Sequence, residues 1–327
     1  MGMGHGSSAH ELRLASLEGD LETVKFLTEE KQLDPLQEDN IGRNAIFCAA
    51  KGGQLAVLKY FIEEQGHNPA SPISSTGSKC AGWTPLHTAA KRNQLELVQY
   101  LISEQHVDPM CQTEDGSTPL HKACHYDDNL DVVIYLVNAM SRHLPLNDVV
   151  SCRGANGKTP LHSAALAGQL KIVKYFISEL QCDPNIAQTG EHHGNTAKCG
   201  GRIALHGAAQ RGHLHIVKFL IEDQHCNPSH CDYQKVTPLH MAAQHGHLSV
   251  VQYLTLEQHC DPLCTNEKNN TPLHIAANNG HLQVVQFMIE TLHCPPDIRG
   301  RNNETPLDKA HSRDHHHVVK YLESHHS

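Results

Sequence analysis

Aromatic side chains are scarce in this chain, at 5% of 327 residues with a single tryptophan. The hydrophobic fraction is 39%, so a large aromatic-rich core is excluded. No run of about 18 apolar residues occurs, and no membrane span is expected. Basic residues are also short, 26 against 35 acidic, for a formal charge of −9. Phosphate binding needs clustered Lys and Arg, so nucleic acid is excluded as the main partner. The opening MGMGHGSSAHELRL has no apolar h-region and predicts no secretory signal. It also misses the myristoylation pattern, because Gly6 stands where Ser or Thr is required. Twelve cysteines are present, but a chain this long need not depend on disulfides, and a reducing, cytoplasmic setting is expected.

What the chain does have is a period. TPLH begins at Thr84, Thr118, Thr159, Thr237 and Thr271, with degenerate copies NAIF at Asn44, IALH at Ile203 and TPLD at Thr305. Their fourth positions are Phe47, His87, His121, His162, His206, His240, His274 and Asp308, spaced 40, 34, 41, 44, 34, 34 and 34. Thr is a good helix N-cap, and Pro at the first helical position loses no hydrogen bond. Gly212, Gly246 and Gly280 can end a helix in the left-handed conformation. A second helix follows, with apolar residues at helical spacing such as Leu248, Val251 and Leu254.

The unit TPLHxAA, then G-H-L, then VVxYL resembles the ankyrin repeat. The resemblance implies an all-α solenoid of stacked helix-turn-helix units with projecting hairpin-like fingers. It places a disordered segment at 1–9 and one domain at 10–327. That domain has an N-terminal cap at 10–39, seven full repeats at 40–304 and a C-terminal cap from 305. The family's tetrad histidine is structural, which assigns that role to His87, His121, His162, His206, His240 and His274. Their ring nitrogens are expected to bond backbone within and between repeats.

EQHCDPLCTN, from Glu257, packs one histidine and two cysteines into a metal-like phrase, and DQHCNPSHCD repeats it from Asp223. It overlays the family's NGADVNA, with His259 at the Gly place and Cys260 and Cys264 at Ala places. Histidine tolerates the left-handed conformation better than most residues, and cysteine behaves as a small apolar residue. The phrase therefore reads as a helix ending, and no cofactor or metal is expected. His192, His193 and Cys199, in the insertion GEHHGNTAKCGG, stay as a weak alternative metal site.

Binding is expected where the copies differ. Three linkers are lengthened, at NPASPISSTGSKCAGW, SRHLPLNDVVSCRGANGK and NIAQTGEHHGNTAKCGGR. Insertions in such arrays map to loops on one face, often the binding face. The finger position before each tetrad supplies Arg43, Trp83, Lys158 and Arg202. The concave ends of the first helices supply Lys51, Lys91, Arg92, Tyr126, Gln210 and Arg211, and further along Gln244, Asn278 and Asn279. Trp83 is placed here as a hot-spot anchor, with packing beneath its own long loop as the alternative. Ile203 cannot cap its helix as Thr does, so the fifth repeat is expected to be weaker.

The resemblance implies a non-catalytic scaffold or adaptor, monomeric, that binds a protein partner through fingers and concave helices. A metal-dependent or enzymatic protein using the 187–202 insertion is the alternative. A host-directed microbial effector with this fold shares every feature above.

Overall fold

The TPLH tetrads start their helices by a reciprocal cap. In the computed structural model, Thr237 Oγ1 accepts from the His240 amide at 3.4 Å. The Thr237 amide in turn donates to His240 Nδ1 at 3.2 Å. The same amide-to-Nδ1 bond recurs at Thr84, Thr118, Thr159 and Thr271, each at 3.3 Å. Histidine thus takes the part that Glu or Gln plays in other capping boxes. Ile203 has no acceptor to offer, yet its amide still donates to His206 Nδ1 at 3.3 Å, so half of the cap survives.

The described residues are 5–73, 81–125, 129–192, 195–196 and 200–325. They group into two compact units, Met1–Ala155 and Asn156–Ser327, each described by itself. In the first unit the first helices His5–Glu18, Ala45–Gly52, Pro85–Lys91 and Pro119–Ala123 stack in order. In the second, Pro160–Ala167, Ala204–Arg211, Pro238–His245, Pro272–Asn278 and Pro306–His311 do the same. Paired alanines such as Ala89-Ala90 and Ala242-Ala243 are fully buried, which lets neighbouring helices pack closely. The helix His5–Glu18 is described from His5, with Ala9 and Leu12 buried.

The family's repeat is about 33 residues, and this chain's unit is 34. The second helix commonly ends in a wider turn. There Leu248–Gln252 runs on into a π-helical turn, Tyr253–Glu257, closed by Gln258 N donating to Tyr253 O at 3.1 Å. Phe26–Glu30, Tyr60–Glu64, Tyr100–Glu104, Tyr175–Glu179 and Phe219–Asp223 repeat that turn. The following residue is left-handed, with φ of 54° at His106, 53° at His225, 52° at His259 and 54° at His293. The glycine place held by histidine is therefore a backbone fact.

Lengthened linkers are ordered at their bases. Ile73 N donates to Trp83 O at 2.9 Å, and Gln188 N to Arg202 O at 2.7 Å. Glu191–His192 pairs antiparallel with Asn195–Thr196 in the latter finger. The insertion after the third repeat folds as a further helix, Leu146–Ser151, with Val149 buried. The C-terminal cap is a complete helix pair, Pro306–His311 and His316–Glu323. Among the described residues no helix is long and apolar enough to cross a membrane.

Candidate interaction surface

In the first unit Trp83 does not stand at the surface. It is 6% exposed and packs with Phe47 and Ile73, in keeping with the packing alternative rather than the hot-spot anchor. Its ring instead carries two ammonium groups, Lys91 Nζ at 5.0 Å and Lys122 Nζ at 4.9 Å from the centroid. Lys122 also lies 3.6 Å from the Asp115 carboxylate. Burial alone would raise Asp115, but hydrogen bonds with Thr113 and Ser117, together with Lys122, hold it well below the usual carboxylate range. Arg43 is tied into its finger by Asp39 at 2.8 Å, and Lys51 and Arg92 lie at the ends of their first helices. Tyr126 lies outside the described residues.

In the second unit three expected residues meet. Lys158, Arg202 and Gln210 wall a cavity of about 170 Å³, together with Asn156, Gln188 and His162. Arg202 is oriented by Asp232, whose fully buried carboxylate accepts from Nε at 2.9 Å. Gln188 is 6% exposed, and its Oε1 has no donor among the described residues. Arg211 ends the helix Ala204–Arg211, exposed and outside this cavity. Tyr233, 75% exposed, covers the backbone of Gly200 and Gly201 at the neighbouring finger. A Cβ on Gly200 would meet that ring at 2.6 Å, so the glycine pair lets Tyr233 lie close against the backbone.

Sequence reasoning missed Lys122, Gln188 and Tyr233. Lys122 was legible in principle, since TPLHKAC puts a lysine where other copies carry Thr88, Ser163, Gly207, Met241 or Ile275. Gln188 and Tyr233 belong to fingers, where no periodic pattern fixes which side chain turns inward.

The histidines and cysteines act as packing groups. Burial, opposed by the hydrogen bond to Ser117, holds His87 at about 4. Burial likewise holds His206 at about 3 and His240 at about 4. Burial pushes Cys111, Cys182, Cys226, Cys264 and Cys294 up to about 11, so they persist as thiols. Cys264 Sγ sits 4.0 Å from Thr237 Oγ1 and 3.9 Å from His240 Nδ1, filling space beside the tetrad of its own copy. Among the described residues no group of three or more His, Cys, Asp or Glu is placed to hold a metal. His193 and Cys199 lie outside the described residues, and only the backbone of His192 is described.

Family models for ankyrin repeats match residues 12–112, 89–188, 186–263 and 254–310. The chain therefore belongs to the ankyrin-repeat family. A curated relative is the palmitoyltransferase AKR1 of Debaryomyces hansenii, 30% identical over 176 residues. That match covers 52% of this chain and 20% of the relative, so the chain spans only about a fifth of that protein's length.

Proposed function

We propose that this chain is a non-catalytic scaffold or adaptor of the cytoplasm that holds a protein partner on the concave face of its second unit. The observation that carries the reading is the meeting of Lys158, Arg202 and Gln210 around one cavity, beside the unpaired Gln188 acceptor. Ankyrin repeats mediate protein–protein contact, and a cavity with a few convergent polar groups is where such contact gains selectivity. Lys158 and Arg202 supply charge-assisted donors at the cavity wall. The repeats supply thiols raised by burial and histidines kept neutral, which suits packing rather than nucleophilic or general-base chemistry. The relative's name assigns it palmitoyl transfer; the shared region is a minor part of that protein, and it supports a common binding module.

The test is quantitative affinity purification from cells. Wild type is compared with a Lys158→Glu, Gln210→Glu double variant and with Lys174→Glu on a second helix. The proposal expects a defined set of proteins to be lost from the double variant and kept by Lys174→Glu. Identical captured sets in all three would contradict it.

A further inference from the structure

The second unit carries another groove, distinct from the cavity above. It has a volume of about 330 Å³ and lies between the last fingers and first helices. Its walls carry four cations, Lys268, Arg301, Lys309 and Arg313, and no lining residue is a carboxylate. Lys309 is held by the Glu304 carboxylate. Lys268, Arg301 and Arg313 form no ion pair among the described residues. For a chain of net charge −9, this is a local reversal of sign.

The fingers fix the backbone from which Lys268 and Arg301 project, while Lys309 and Arg313 come from the C-terminal helix pair. Asn266 Oδ1 accepts from the amides of Lys268 at 2.9 Å and Asn270 at 3.1 Å. Asn270 Oδ1 accepts from the Arg301 amide at 3.3 Å, which links one finger to the next. The side chains of Gln244 and Asn278 face the same groove and offer both donors and acceptors. Neighbouring like charges repel each other, and a ligand bearing carboxylates relieves that repulsion while forming charge-assisted bonds. Amide side chains suit the backbone of an extended peptide.

We propose that this groove docks an acidic, carboxylate-bearing segment of a protein partner. The proposal concerns a different surface from the Lys158 cavity and stands without it. Nucleic acid fits less well, because the groove has no Phe, Tyr or Trp for base stacking, its one ring (His274) is buried with both nitrogens occupied, and the chain's overall negative field opposes a long polyanion. An anionic membrane would need a broader basic face than one groove supplies.

The experiment uses the full chain and a short fluorescein-labelled peptide of alternating aspartate and glycine, read by fluorescence anisotropy. The Arg301→Glu, Arg313→Glu double variant is compared with Lys31→Glu, Lys174→Glu, which changes net charge equally at second-helix positions. Both arginines are exposed, and an unchanged urea midpoint confirms folding. The proposal expects wild-type binding that weakens with salt, at least about tenfold weaker binding in the arginine pair, and near wild-type binding in the lysine pair. Absence of peptide binding by wild type would overturn it. So would equal loss in both pairs, which signifies bulk charge alone. Binding of poly(U) or phosphatidylserine vesicles through the same arginines, with no peptide binding, would replace it with a different ligand class.

Discussion

His240 Nε2 donates to the carbonyl oxygen of Asn270 at 3.2 Å, from one repeat to the next. Its Nδ1 is already occupied as an acceptor by the Thr237 amide, so the neutral Nε2–H tautomer is the one that satisfies both sides. His87 to Ser117, His206 to Val236 and His274 to Glu304 repeat the arrangement. A second proton on Nδ1 would face an N–H donor in a buried site.

Acid should therefore loosen the repeats. An unfolded histidine titrates near 6.5, while burial holds His87 and His240 at about 4 and His206 at about 3. Below about pH 6.5 the unfolded chain binds more protons, so stability is complete above that value and falls as pH drops toward 4. Each such histidine contributes a slope of up to about 1.4 kcal/mol per pH unit inside that window. Depressed carboxylates such as Asp39 and Asp115 act only below their own ordinary range near 3.8. Urea midpoints should fall between about pH 7 and 5; a flat profile would contradict the account.

The helix endings make opposite predictions at two positions. His259 has φ of 52°, so His259→Gly should be neutral or stabilising by up to about 1 kcal/mol. Gly246 has φ of 74°, and an added Cβ would meet His281 Nδ1 at 2.5 Å. Gly246→Ala should destabilise by more than about 1 kcal/mol. Chemical denaturation measures both, and loss of stability in His259→Gly would restore a specific role for that imidazole.

Trp83→Ala should act on stability first. A buried tryptophan replaced by alanine costs about 3–5 kcal/mol, whereas Trp83→Phe keeps most of the packing with Phe47 and Ile73. Because Trp83 is the only tryptophan, its fluorescence reports unfolding of the first unit directly. A Trp83→Ala protein with an unchanged urea midpoint would show that this packing contributes little.

The repeating parts of this structure were readable because each has a local cause. Thr237-Pro238 caps and starts a helix, Gly246 ends it, and His259 sits where only a left-handed residue closes the turn. The surface was read less well, for a physical reason. Trp83 precedes its tetrad as Lys158 does, but Phe47 and Ile73 pack around the indole whereas Lys158 lines an open cavity. The groove that gathers Lys268, Arg301 and Arg313 draws on two fingers and the C-terminal cap, a meeting set by stacking rather than by neighbourhood in the chain.

The central claim is that a partner lies against the concave face of the second unit. Photo-cross-linking tests it most directly, with a photoreactive amino acid placed at Gln210 in one protein and at the exposed Gln252 of a second helix in another. Irradiation in cells should give discrete protein adducts from position 210 that are absent from position 252. The same adducts from both positions, or none from 210, would contradict the account.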